Sequence, residues 1–177
     1  MKYLILICIC LAVYSNAIQG EFVIDDIESI QEHPYIKTHY YIHDLSDACK
    51  YLGYKISGME TWGYHLISIL LHCTATVLCL RLLRCLCTKE SAFIGALVYA
   101  VHPVHTEAVS WISGIPYLWQ GIFGFSVLNL FIKKKRLWAF VVYTLALFND
   151  VRMVVLLPIL ITYWWLYEKE EKNENKV

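Results

Sequence analysis

A chain of 177 residues that is 58% hydrophobic and only 17% charged departs from soluble domains, which hold nearer ~45–50% apolar and ~25% charged residues. Its formal net charge is zero, and no basic stripe interleaved with aromatics lies outside the apolar stretches, which excludes nucleic acid as a partner. The apolar residues fall in blocks separated by short charged clusters, the pattern of an all-α, multi-span membrane protein.

The first block runs from Lys2 to about Ile18. It reads either as a secretory signal, with Ser15-Asn16-Ala17 as a small-residue cleavage site, or as a retained span, since roughly 17 residues is the lower limit for crossing. From Gln19 to Thr61 the chain is polar and holds Asp25, Asp26, Glu28, Asp44 and Asp47. Ile24, Ile27, Ile30, Tyr35 and Ile36 recur there at spacings that predict short amphipathic helices in a large first external loop. His33-Pro34 breaks the first of these.

Apolar blocks follow over Trp62 to about Leu80, Ser91 to about Ile112, Ile115 to Ile132, Leu137 to Phe148 and Met153 to Tyr167. With the first block they predict about six spans, the last two short enough to form a hairpin around Asn149-Asp150-Val151-Arg152. A partial transmembrane domain over 1–167 and a charged cytoplasmic tail over 168–177 complete the layout. An inside N-terminus puts Lys2, Arg81, Arg84, Lys89, the Lys133–Arg136 run and the tail lysines inside, eleven basic residues against four outside, as the positive-inside bias requires. The Lys133–Arg136 run reads as a topology signal. Six of the seven cysteines lie in or beside apolar blocks, so no disulfide framework is expected, and Cys85-x-Cys87 lacks two further ligands at zinc-like spacing.

This orientation gathers four polar clusters on the outer side: Asp25-Asp26, His65, His102 to Glu107, and Asn149 to Arg152. Ionisable groups near membrane depth are functional candidates. Each also has a structural reading. The acidic pair suits a helix N-terminus, and His65 and His72, seven apart, suit interhelical hydrogen bonds. His102-Pro103-x-His105-x-Glu107 has metal-ligand residue types, but Pro103 disturbs helical spacing.

Together the clusters resemble a known family. Asn16-x-x-x-Gly20-x-Phe22-Val23-x-Asp25-Asp26, then Gly63-Tyr64-His65-Leu66 with Leu70-Leu71-His72, and above all Ala100-Val101-His102-Pro103-Val104-His105-Thr106-Glu107-Ala108-Val109-Ser110-Trp111-Ile112-Ser113-Gly114 are similar to the transmembrane and tetratricopeptide-repeat O-mannosyltransferases and their bacterial relatives, in the multi-span C-type glycosyltransferase superfamily. The resemblance runs from about Asn16 to Tyr167 and covers only the first half of that membrane domain. It favours a retained first span.

The resemblance implies transfer of a mannose-type sugar from a polyprenyl-phosphate carrier to a hydroxyl of a protein or glycan acceptor, with inversion. The site would face the lumen of the endoplasmic reticulum or the periplasmic side of a bacterial plasma membrane. It implies Asp25 or Asp26 as the base, with or without a divalent metal, and His65, His102, His105, Glu107 and Arg152 as substrate-binding groups. Membrane lipid, the lipid-linked donor, the acceptor and a second chain supplying the missing half are the implied partners. The first loop lacks the family's Arg-Pro motif. Ile115 stands where relatives often have arginine. Arg152 is the single cation where relatives have a Ser-Lys-Glu-like motif. The competing expectations are a non-catalytic relative that keeps only the membrane fold, and a histidine-based metal or haem site among His65, His72, His102 and His105.

Overall fold

The longest apolar block becomes the longest helix, and the other elements gather round it. In the computed structural model, which describes residues 1–34, 36–37 and 42–168, every regular element among the described residues is helical. Tyr35 of the expected amphipathic pieces and the tail from residue 169 onward lie outside the described residues. The helices are α1 (Lys2–Val13), α2 (Leu45–Ser57), α3 (Trp62–Leu86), α4 (Lys89–Val101), α5 (His105–Ser110), α6 (Ile115–Ile132), α7 (Arg136–Asn149) and α8 (Leu156–Tyr163). Short 3₁₀ turns occupy Ser15–Gln19, Ile112–Gly114 and Val151–Val155, and wider π-type turns occupy Ile27–Gln31 and Trp164–Glu168.

α3 packs against α1, α2, α4 and α6. Its contacts with the N-terminal segment step steadily backward along the chain. Arg84 Nη1 donates to the Tyr3 hydroxyl at 2.8 Å, Cys10 Sγ lies 3.6 Å from Thr76 Oγ1, and the Tyr14 ring meets His72 edge-on at 5.0 Å. α1 is therefore antiparallel to α3, and its Leu6 and Cys10 are fully enclosed. Lys2 Nζ donates to the Lys89 carbonyl at 3.2 Å, so Lys2, Arg84 and Lys89 share one end of the bundle. α4 meets α3 through small residues, since Ala92, Ala96 and Ala100 are wholly buried at a four-residue spacing. Small side chains let helix backbones approach closely, the usual device of helix packing in membranes.

Two helical stretches are long and apolar enough to cross a bilayer, Trp62–Leu86 with 25 residues and Ile112–Ile132 with 21. The apolar stretches Lys2–Val13, Arg136–Asn149 and Val151–Leu166 are shorter. The expected third span, Ser91 to about Ile112, is broken. Pro103 has no N–H to continue a helix and biases the preceding residue toward extended backbone. His102 accordingly sits at φ −66°, ψ 128°, and α4 stops at Val101. The chain then re-forms as α5 and the 112–114 turn before α6. That kinked segment carries the polar groups discussed next.

The first loop is anchored by a second apolar cluster in which Phe22, Ile30, Ile36, Tyr64, Ile112 and Ile115 are buried together. Ile115 is thus a core residue. α2 turns an unusual face inward: Ser46, Lys50 and Gly53 are buried, while Leu45, Leu52 and Ile56 are exposed. A third cluster of Val127, Ala146, Met153, Leu156 and Leu160 holds α6, α7 and α8 together.

Candidate functional site

The acidic pair is divided. Asp25 is exposed, whereas Asp26 is completely buried. Asp26 does not cap the turn it precedes, which has no side-chain cap bond. Instead its Oδ1 accepts from the Ser113 backbone N–H at 2.8 Å and from the Ser113 hydroxyl at 2.6 Å. Its Oδ2 accepts from the Val23 N–H at 3.3 Å. Ser113 lies just beyond α5, so Asp26 clamps the first loop onto the segment that follows His102–Glu107. Charge-assisted bonds of this kind are the strong ones.

His65, in the first turn of α3, is fully enclosed and neither ring nitrogen makes a hydrogen bond. The Gly20 backbone packs against it: a Cβ at Gly20 would stand 3.0 Å from His65 Nε2. His65 therefore packs against the start of the first loop rather than facing open space.

His102 and His105 take different positions. His102 is exposed, and its Nδ1 accepts from the Val104 N–H at 3.1 Å. The His105 ring is stacked into a group of aromatics, 4.3 Å from Tyr99 and 5.2 Å from His72 between centroids. Burial, with the neighbouring His72 and His102 adding to it, pushes the His105 pKa down to about 4, so this imidazole is neutral in the physiological range. His72 is buried on α3 with Nε2 at 3.0 Å from the Ala100 carbonyl, which bears out an interhelical role for that residue.

A cavity of about 410 Å³ opens beside α4, α5 and α6, lined by Tyr99, His105, Glu107, Tyr117, Gln120 and Phe125 among others. Glu107 is exposed at this cavity. Arg152 reaches it indirectly, with its guanidinium 5.1 Å from the Tyr117 ring. The same guanidinium is forked onto Asp150, Nη2 to Oδ2 at 2.7 Å and Nε to both carboxylate oxygens at 3.0 Å. Gln120 Nε2 donates to Asp150 Oδ2 at 2.7 Å. These donors, Arg152 first, hold the Asp150 carboxyl below its ordinary pKa despite partial burial. Asn149 Oδ1 accepts from the Leu45 N–H at 3.1 Å and ties the end of α7 to the start of α2.

The structure thus places Asp26 against the segment following the histidines, and Arg152 against the cavity that His105 and Glu107 line. Among the described residues no group of three His, Cys, Asp or Glu side chains converges as a metal site. Sequence reasoning missed Ser113, Gln120, Tyr117 and the buried Lys50. Ser113 lay within a recognisable motif, but its partner is 87 residues away.

No family model and no solved structure matches the chain. Curated proteins do. It is 30% identical over 160 residues to a protein O-mannosyl-transferase of Caenorhabditis elegans, covering 76% of this chain and 23% of that protein. It is 27% identical over 153 residues to the protein O-mannosyl-transferase TMTC3 of Mus musculus, covering 74% of this chain and 17% of the relative. Over 65 residues, 36% of this chain and 7% of the relative, it is 45% identical to the protein O-mannosyl-transferase Tmtc2 of Drosophila melanogaster. It spans less than a quarter of the length of each of these relatives. The chain is therefore a homologue of the protein O-mannosyl-transferases, matching a minor part of their length.

Proposed function

We propose that the chain is part of a membrane glycosyltransferase that moves a mannose-type sugar from a polyprenyl-phosphate carrier to a hydroxyl of a protein acceptor. The observation that carries this reading is the division of the acidic pair. Asp26 is spent on Ser113, and Asp25 beside it is left exposed.

In this reaction the acceptor oxygen attacks the anomeric carbon, and the bond from that carbon to the phosphate oxygen breaks with inversion. The polyprenyl phosphate leaves with the bonding electrons, and the hydroxyl proton passes to a base. Asp25 takes that role, since an exposed carboxylate can reach an acceptor hydroxyl. Asp26 fixes the backbone beside it. Glu107 and neutral His105 offer an acceptor and a donor to sugar hydroxyls in the cavity, and His102, exposed three residues before His105, is the remaining group of this segment proposed to bind substrate. His65 supports the first loop from beneath. The leaving phosphate needs a positive group, and Arg152 is the candidate. No step is routed through a metal, because the described donors do not converge on one.

The relatives, protein O-mannosyl-transferases, support the transferase class and point to a protein acceptor. The reading further places α1, α4 and the α7–α8 hairpin in the bilayer with α3 and α6, about six spans in all. Lys2, Arg84 and Lys89 share the inner end, and the polar clusters face the lumen of the endoplasmic reticulum or the periplasm. Residues 1–167 form one partial domain, with a solvated tail over 168–177. Exposed apolar side chains on α7 and α8, including Trp138, Phe140, Phe148 and Ile161, face lipid or further spans, supplied by a longer chain or by a second one.

The test is mannose transfer from a polyprenyl-phosphate donor in membranes containing the full chain, with Asp25→Asn and Asp26→Asn made separately. The expected result is loss of transfer in Asp25→Asn with the protein still folded. Transfer that survives in Asp25→Asn removes the base. Absence of transfer in the unaltered chain leaves a non-catalytic relative.

A further inference from the structure

Lys50 is a lysine on the inward face of α2 and is only 8% exposed. Its Nζ donates to the Ser29 hydroxyl at 3.1 Å. Ser29 Oγ lies 3.5 Å from Ser113 Oγ, the longest link, and Ser113 Oγ meets Asp26 Oδ1 at 2.6 Å. The polarity of this chain is set at both ends. An ammonium only donates and a carboxylate only accepts, whereas a hydroxyl does both. Ser113 commits its proton to Asp26, so it accepts from Ser29. Ser29 in turn accepts from Lys50. Three separate stretches are joined in one direction: α2, the segment from Asp26 through the 27–31 turn, and the 112–114 turn.

Two of the other acids around Lys50 are already engaged. Asp44 caps α2 by accepting from the Ser46 and Asp47 N–H groups at 2.7 and 2.9 Å. Asp47 accepts from the His43 N–H at 3.1 Å, with the His43 ring at the same distance. Of the acids that attract Lys50, namely Asp47, Asp26, Asp44 and Asp25, Asp26 is the one its hydrogen bonds lead to.

We infer that Lys50 is a positioning residue of the acidic pair, whose ammonium holds Asp26 through Ser29 and Ser113 and thereby fixes where the neighbouring Asp25 carboxylate stands. Its consequence for sugar transfer rests on the proposed function; the hydrogen-bonded relay does not. Burial lowers the Lys50 pKa more than the surrounding acids raise it. The stability linked to that shift is present only above the lysine's unfolded value and is lost as pH falls through its folded value. At neutral pH the charge is therefore no net support of the fold, and an apolar replacement of similar length is tolerated.

The experiment is carbodiimide coupling of a small amine to the carboxylates of the purified full chain in detergent, read by fragmentation mass spectrometry. In the unaltered chain Asp25 is modified and Asp26 is protected. In Lys50→Met, Asp26 modification rises about tenfold, the effect of losing one charged hydrogen bond, with an unchanged melting temperature. Ser29→Ala gives the same rise, and Lys50→Arg restores protection. Asp26 protection that is unchanged in both Lys50→Met and Ser29→Ala overturns the relay. In the transfer assay Lys50→Met lowers kcat with KM for the acceptor unchanged, and transfer at the unaltered rate overturns the positioning role. A chain that shows the labelling pattern but no transfer sinks the proposed reaction and leaves the relay standing.

Discussion

Asp26 and Asp150 each tie a loop to a distant helical segment, but their principal partners differ. Asp26 is fully buried and accepts from two backbone N–H groups and one hydroxyl. Asp150 is held chiefly by a guanidinium whose own side chain is 54% exposed, with Gln120 and the adjacent Arg152 backbone N–H as further donors. Backbone donors cannot move away without breaking the fold, whereas an exposed arginine swings out at little cost. The first acid is therefore a rigid clamp. The second is a releasable latch on the cation that a phosphate would seek.

Removing the clamp tests the first half of that contrast and carries the largest effect. Asp26→Ala leaves the Ser113 N–H and hydroxyl without an acceptor inside the protein. Each orphaned donor costs ~1–3 kcal/mol, so the chain is expected to lose about 3 kcal/mol. Thermal unfolding in detergent measures it. A variant that melts with the unaltered chain shows that the junction is wet and loose, and the contrast with Asp150 disappears.

A smaller effect probes what seats α2 over that clamp. A Cβ at Gly53 would stand 2.5 Å from Tyr64 Cδ1, and the Tyr64 ring is wedged against Phe22 at 5.4 Å with its hydroxyl donating to the Gly58 carbonyl at 2.8 Å. Gly53→Ala must push α2 off α3. Overpacking of this kind costs ~1–3 kcal/mol. The same denaturation measurement should show the loss, and carbodiimide modification of Asp26 should rise with it. A rise in stability from Gly53→Ala would mean that α2 is not seated on the Tyr64 ring.

How much of this was legible follows from the kind of signal involved. Ile115 to Ile132 is one apolar block in the sequence and one helix with the same ends in the structure, because Pro at its second position and a lysine cluster after it are local marks. The Trp62 block extends to Leu86, past Arg81 and Arg84. Hydropathy stops at the first cation, whereas the backbone stops where packing does. The third block ends as a helix at Val101, short of its apolar length, because Pro103 acts on backbone hydrogen bonding, which apolarity does not register. His102, Glu107 and the acidic pair stood out by residue type and motif. Lys50 did not, since a lysine in a polar loop is ordinarily solvated and only the tertiary structure shows it turned inward. The split between Asp25 and Asp26 was equally invisible: adjacent identical residues differ only in what the rest of the chain brings to them.

The smallest effect belongs to the latch. Asp150→Asn keeps an oxygen for Gln120 but removes the charge that holds Arg152; the Asp150 side chain is only 9% exposed, but its half-exposed partner keeps solvent screening, so the loss is about 1 kcal/mol. Because the Asp150 pKa is lowered in the folded protein, its contribution is present above the ordinary carboxylate value. It is lost as pH falls through the lowered one. The melting difference between Asp150→Asn and the unaltered chain should therefore be slight at neutral pH and vanish in strong acid. Function should move the other way. With the carboxylate gone, Arg152 is released beside Tyr117 at the cavity, and binding of a polyprenyl-phosphate donor should tighten, seen as a lower KM for the lipid. If Asp150→Asn weakens donor binding instead, the Asp150–Arg152 pair acts as one fixed unit. The latch is then a second clamp, and the phosphate must be met by another group.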